Sequence, residues 1–305
     1  MTKHYELNTV LSDLKRITGL SFELNAETPE EAEEAALQIH RLCTAYKEKY
    51  DKTHFFRNIL YGSLSSYEIN EQCSKLRIDP VETRLLFLLE TKTSDSDTTM
   101  MILKHLFPSQ TGTYLVPVSD TKLVLLYPYE EEFETYDELI QFSNSIIDTL
   151  NMEALTSVQI ACSAPIHNLT RLSEAYHQSD IALTIGRLFN SEQNVFIYNQ
   201  LGIGRLIYQL PISVCDDFLH EIFTDEIPDS LEPELSATIE RFLQNNLNIA
   251  ETARQLHMHR NTLIYRLDQV KKRTGLDLRN FEDAMTFKTA TMVMNYRNQK
   301  QKGLL

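Results

Sequence analysis

Residues 249–275 read Ile-Ala-Glu-Thr-Ala-Arg-Gln-Leu-His-Met-His-Arg-Asn-Thr-Leu-Ile-Tyr-Arg-Leu-Asp-Gln-Val-Lys-Lys-Arg-Thr-Gly. Ile249, Ala253 and Leu256 recur at helical spacing and share one face of a short helix. Leu263, Ile264, Leu267 and Val270 do the same on a second. Two such stripes can pack together, and Ala253 is small where the helices would cross. His257 falls in the intervening turn, where a left-handed backbone is needed, a conformation that His tolerates better than most residues. The spacing predicts two short helices joined by a tight turn, the sequence form of a helix-turn-helix.

The second helix of the pair presents His259, Arg260, Asn261, Thr262, Tyr265 and Arg266 toward its start. In a DNA-reading motif that end enters the major groove. There Asn pairs with adenine and Arg with guanine, each good bidentate contact giving about 1–3 kcal/mol of discrimination. Lys271, Lys272 and Arg273 lie further along and suit phosphate, which fixes position rather than sequence. Charge is distributed accordingly: residues 236–305 hold 12 Lys and Arg against 6 Asp and Glu, leaving 17 against 37 for residues 1–235. A basic end on a chain of net charge −14 implies that this end alone meets a polyanion.

The run from Asn248 to Leu267, followed by Thr274-Gly275-Leu276-Asp277-Leu278, resembles the C-terminal domain of PucR/CdaR-type bacterial transcription regulators. The most family-like stretch is His259-Arg260-Asn261-Thr262-Leu263 with Tyr265-Arg266-Leu267. The resemblance implies a DNA-binding domain over residues 236–305, with flanking helices near 236–247 and 280–296.

In the middle of the chain the period alternates. Arg84 to Glu90 reads as a buried strand, Asp97 to Phe107 as a helix, and Thr113 to Val118 with Lys122 to Tyr127 as a hairpin around Ser119-Asp120-Thr121. A helix from Thr135 to Met152, a strand at Ser157 to Ser163, a helix from Leu169 to Leu188 and a strand at Asn194 to Tyr198 follow. The order βαββαβαβ suits a mixed or antiparallel sheet with helices on one face, close to the split βαβ plan. The fold class is therefore α+β: an N-terminal helical segment, a central sheet with helices, and an all-α C-terminal domain.

The central segment is similar to the degenerate GGDEF-like domain of the same regulators, at Ser173-Glu-Ala-Tyr-His-Gln-Ser-Asp-Ile-Ala-Leu183, Val195-Phe-Ile-Tyr198 and Leu201-Gly-Ile-Gly-Arg-Leu206. An active nucleotide cyclase of that kind would need hairpin glycines for close phosphate approach and clustered acids for a divalent metal. The hairpin instead reads Val118-Ser119-Asp120-Thr121-Lys122, and Glu90 and Asp120 are the obvious carboxylates near that edge. Gly202-Ile203-Gly204 lacks the Lys-Ser/Thr or third glycine of a phosphate loop. A ligand-binding or dimerising role is expected here, with no catalytic residues.

Ahead of residue 80, Thr28-Pro29-Glu30-Glu31 is a helix start with Thr28 as cap and Glu31 completing a capping box. That helix can run to Tyr50, or on to Leu60. Ala35, Ile39, Leu42, Tyr46 and Lys49 trace a stripe that fits packing within the domain or a short dimerising seam, which Lys49 breaks. Leu7 to Ile17 reads as a further helix and Leu20 to Leu24 as a short strand. Thr224 to Pro233, with two prolines and four acids, reads as a linker. The expected organisation is 1–80 mainly helical, 81–223 GGDEF-like, 224–235 linker and 236–305 helix-turn-helix.

No apolar run approaches the roughly 18–20 residues of a membrane helix, and the first residues lack a signal peptide's apolar core. Cys43, Cys73, Cys162 and Cys215 are too scattered for a metal knuckle or a compact disulfide framework. His257 and His259 have no acidic or thiol partners nearby for a metal. The sequence thus points to a cytoplasmic regulator without cofactor or metal, an activator in the manner of the resembled family, responding to a small-molecule effector. One recognition helix covers few base pairs, so a homodimer or higher oligomer on double-stranded DNA is expected. Two other classes compete: a nucleotide-cyclase-related enzyme, and a protein-interaction module without specific DNA binding.

Overall fold

The stretch Arg84-Leu-Leu-Phe-Leu-Leu-Glu-Thr91 has no polar face, so it needs a neighbour on each edge and cover on both sides. In the computed structural model it is β1 (Arg84–Thr91), an inner strand whose residues Leu85 to Leu89 are all buried. The structure describes residues 10–11, 14–15, 28–92, 96–108, 112–129, 133, 135–190, 192–223 and 227–303, without the side chains of 44–50 and 96–97. Two compact units divide it, residues 1–180 and 181–305.

In the first unit, α1 (Pro29–Tyr50) begins where Thr28 accepts from the Glu31 amide at 3.2 Å. It stops at Asp51, whose carboxylate caps α2 (Lys52–Leu60) by accepting from Thr53 N at 2.8 Å. The two helices are therefore separate rather than one run to Leu60. The buried face of α1 is Ala36, Ile39 and Cys43, packed on Val10, whereas Leu42 is 64% exposed. The stripe expected through Ala35, Ile39 and Leu42 is thus replaced by a neighbouring one, because Ala36 and Cys43 also stand at helical spacing from Ile39 and are the side chains enclosed. The side chains of Tyr46 and Lys49 and the expected strand at Leu20–Leu24 lie outside the described residues. So does most of Leu7 to Ile17, although residues 10–11 and 14–15 are helical. α3 (Ser66–Leu76) opens with a full capping box between Ser65 and Glu68.

The remaining elements of this unit are α4 (Ser96–Leu106), β2 (Tyr114–Pro117), β3 (Lys122–Pro128), α5 (Tyr136–Glu153), β4 (Val158–Cys162), a 3-10 turn (Leu169–Arg171) and α6 (Leu172–Phe189), which continues into the second unit. Strand order is β2-β3-β1-β4, with every pair antiparallel. The register pairs Phe87 with Leu125 and with Cys162, so the apolar run of β1 is flanked by apolar strands on both edges. This is the split βαβ order, and it confirms the α+β class.

The second unit continues with β5 (Val195–Ile197), α7 (Gly204–Ile207), α8 (Ile212–Ile222), α9 (Pro233–Gln244), α10 (Ile249–Gln255), α11 (Arg260–Thr274) and α12 (Phe281–Gln301). One core joins Cys215, Leu219 and Ile222 of α8 to Phe242 of α9, Leu263 and Leu267 of α11 and Phe287 and Val293 of α12. Tyr296 donates to Leu210 O at 3.2 Å, and Arg297 pairs with Asp216. The described part of segment 224–235 connects helices within this core: Ile227 and Leu231 pack against it and Asn298 donates to Asp229 O at 2.6 Å.

Gly186 on α6 faces the Phe196 ring so closely that an added Cβ would sit 2.2 Å from Cδ1. Gly186→Ala is expected to destabilise the second unit by about 1–3 kcal/mol, the usual cost of forcing extra volume into a packed site. Urea unfolding checks this, and Phe196→Leu in the same chain should recover part of the loss. An unchanged midpoint would mean the ring has room to move.

Candidate nucleic-acid interface

The interface begins with a helix stop. Asn248 caps α10 by accepting from Glu251 N at 3.1 Å, and after seven residues the helix ends at Leu256. His257 then takes φ +50°, and the turn closes as Met258 N donates to Ala253 O at 2.9 Å. That six-to-one hydrogen bond with a left-handed residue is a Schellman closure, which satisfies a helix-end carbonyl and reverses the chain sharply. His259 follows as the cap of α11, its Nδ1 accepting from Asn261 N at 3.2 Å. The turn expected at His257 is present, and the helix predicted after it runs from Arg260 to Thr274.

Leu263, Leu267 and Val270 are each at most 2% exposed, which fixes the rotation of α11 about its axis. Helical geometry then places Asn261, Tyr265, Asp268 and Lys272 on the opposite side, with Thr262 toward its edge, whereas Arg260, three positions before Leu263 and seven before Leu267, lies in the first turn in line with the buried stripe. All six are exposed, Tyr265 at 63%. The other expected contacts are engaged within the chain. Arg266 points to α9, donating from Nη1 to Thr238 Oγ1 at 2.6 Å and from Nη2 to Glu234 Oε2 at 2.7 Å. Lys271 pairs with Asp277 at 3.0 Å and Arg273 loosely with Glu232 at 3.5 Å. Lys272 has no ion-pair partner among the described residues. The expected set is therefore split between an open face and a bracing edge.

Two features were not read from the sequence. Arg266 is a brace because Thr238 and Glu234, some thirty positions earlier, offer acceptors, and no local pattern marks such a pairing. The other is the turn after α11, where Gly275 takes φ +78° and Asp277 gathers cations. Its carboxylate accepts from Arg279 Nε at 2.7 Å, from Arg279 Nη2 at 2.9 Å and from Lys271 Nζ at 3.0 Å. The Arg279 hydrogen bonds, foremost, hold the Asp277 carboxyl well below the usual carboxylate range. Arg279 also reaches Asp268 at 3.0 Å. On α10, Glu251 is likewise lowered by its hydrogen bonds from Arg254 and Gln255.

In the first unit the β2–β3 hairpin turns on Ser119, whose Oγ accepts from Thr121 N at 3.3 Å and Lys122 N at 3.1 Å. Lys122 of β3 pairs with Asp180 and lies 3.8 Å from Glu90. An ammonium thus stands between Glu90 and Asp180.

Two family models match these regions: the PucR C-terminal helix-turn-helix domain over residues 235–293, and the GGDEF-like domain over residues 61–185. The chain carries both domains of a PucR/CdaR-type regulator. Among curated proteins it is similar to the purine catabolism regulatory protein of Bacillus subtilis (strain 168), 24% identical over 55% of this chain and 32% of that protein. It is similar to the proline-responsive transcriptional activator PutR of the same organism, 22% identical over 55% of this chain and 42% of that one. It is also similar to the carbohydrate diacid regulator of Escherichia coli (strain K12), 21% identical over 75% of this chain and 61% of the relative. This PucR/CdaR-type chain thus spans from a third to three fifths of the length of those relatives. No described helix in it is long and apolar enough to cross a membrane.

Two measurements follow for the PucR/CdaR-type terminal domain. Arg266→Met removes the brace and Thr238→Val removes its buried contact, and each should lower the stability of the second unit by about 1.5–3 kcal/mol, the range for a hydrogen bond to a charged group. If Arg266→Met weakens DNA binding under folded conditions while Thr238→Val does not, Arg266 also reads DNA. Asp277 supplies a pH test. Its folded-state pKa is depressed, so its stabilisation is complete above the unfolded value of about 3.9 and is lost as pH falls through the folded value. The stability gap between the wild type and Asp277→Asn should be constant near neutrality and shrink below about pH 4; a gap independent of pH would reject the role of the carboxylate.

Proposed function

We propose that the chain is a transcription regulator that binds double-stranded DNA through α11, as a homodimer, in the cytoplasm. The observation that carries this is the exposed face of Asn261, Tyr265, Asp268 and Lys272, with Thr262 toward its edge and the exposed Arg260 at the start of the helix, on a helix whose other side is locked in a core. Asn261 and Arg260 have the groups to read base edges, and Lys272 suits phosphate. Two copies on spaced half-sites would give the specificity that one helix lacks. The relatives' printed names, for purine catabolism, proline response and carbohydrate diacids, favour control of metabolic genes by a small effector. One of them is called an activator, which favours that sign of regulation.

The cyclase alternative is disfavoured by Lys122 between Glu90 and Asp180, since a bound cation there would have to displace an ammonium already paired. A purely protein-binding role is disfavoured by the basic balance of residues 236–305.

Selection of genomic fragments by the purified chain at two salt concentrations tests the proposal; a spaced repeat retained at higher salt is the expected result. On that site Asn261→Ala should cost about 1–3 kcal/mol and relax one base position, while Lys272→Gln should lower the salt slope by about one and leave sequence preference intact. Binding that is uniform across sequence, or insensitive to salt, would overturn the assignment.

A further inference from the structure

On the outer edge of the first unit, a cavity of about 220 Å³ opens between α2, α4 and β2. Its lining includes Lys52 and Thr53 of α2, Phe56 of the same helix, Lys104 of α4 and Tyr114 of β2. Among the described residues no carboxylate lines it, although residues 1–235 carry 37 Asp and Glu against 17 Lys and Arg. Two lysines lining one concavity bring like charge together, and in so acidic a region the ordinary outcome is pairing with Asp or Glu. Among the described residues neither lysine has an ion-pair partner. Lys52 Nζ instead lies 5.5 Å from the centre of the Tyr114 ring, a cation–π placement. Phe56 and Tyr114 have ring centroids 4.5 Å apart and form an aromatic floor.

We propose that this cavity binds a small dianion with a short apolar body, a dicarboxylate or a phosphate ester, held between Lys52 and Lys104 above the Phe56–Tyr114 rings. A volume near 220 Å³ lies below the roughly 300–1,000 Å³ of sites for drug-sized ligands, which restricts the occupant to a compact metabolite. The two lysines come from different helices, so a dianion bridging them would relieve their repulsion and tie α2 to α4. The site is independent of the DNA-binding proposal, because none of its groups belongs to the second unit.

Calorimetric titration of the full chain with succinate and with inorganic phosphate, and with neutral succinamide as control, tests it. Saturable binding of either dianion but not of succinamide is expected, and the preferred dianion distinguishes a carboxylate from a phosphate source. Lys52→Gln and Lys104→Gln should each weaken it at least about tenfold, as loss of one charge-assisted contact implies. Both side chains are exposed, so the variants should melt like the wild type, and Lys75→Gln, on a separate surface, should bind normally. No saturable binding, or equal binding in all variants, would overturn the proposal whatever the outcome with DNA.

Discussion

The left-handed turn at His257 is the constraint on which the terminal domain depends. A helix cannot reverse within three residues unless one of them leaves the right-handed region, and a non-glycine side chain does so at a cost of about 1–2 kcal/mol. Here the cost is offset because the turn delivers Leu263, Leu267 and Val270 into a core already formed by Phe242, Phe287 and Val293. Once those three are enclosed, the opposite face of α11 can only be Asn261, Tyr265, Asp268 and Lys272. The candidate DNA-reading surface follows from packing on the other side of the same helix.

Electrostatics refine that surface. Counting basic residues alone would assign Arg266, Lys271 and Arg273 to phosphate or bases, yet each has an acidic partner within the chain. These pairs differ in worth. Arg273 and Glu232 are both well exposed and 3.5 Å apart, a pairing that is screened and easily exchanged for a phosphate. Arg266 is only 24% exposed and is held also by the buried Thr238 hydroxyl, so releasing it would leave polar groups unsatisfied. Lys271 lies between these cases, since Asp277 that holds it is itself fixed by Arg279.

The regular elements were legible because their signals are local. The apolar run at Leu85 to Leu89, the hairpin around Ser119-Asp120-Thr121 and the left-handed position at His257 all rest on side-chain period or turn chemistry within a few residues. What was not legible depends on distance along the chain. Nothing near Arg266 announces Thr238, and nothing in Thr224 to Pro233 announces that Ile227 and Leu231 rest on a core or that Asp229 accepts from Asn298. Proline and acid content reports how a segment behaves alone, whereas burial against a helix seventy residues later is decided by tertiary packing. The enclosed face of α1 differs from the expected one for a related reason: Ala36 and Cys43 are as compatible with Ile39 as Ala35 and Leu42 are, and only the neighbour decides which set is enclosed.

The GGDEF-like hairpin shows the same division between shape and chemistry. Its fold needs only the antiparallel pairing of β1, β2 and β3, which the apolar runs of β1 and β3 and the tight turn between β2 and β3 favour. Its chemistry would need bare backbone at the turn and uncompensated carboxylates beside it. Ser119 fills the turn with its own hydroxyl, taking the amides of Thr121 and Lys122 that a phosphate would otherwise seek, and Lys122 occupies the charge position between Glu90 and Asp180. Each change lets the site satisfy itself: amides that would be left as donors gain an acceptor, and acids that would repel gain a cation. A turn and a charge cluster satisfied within the chain need no ligand to be stable.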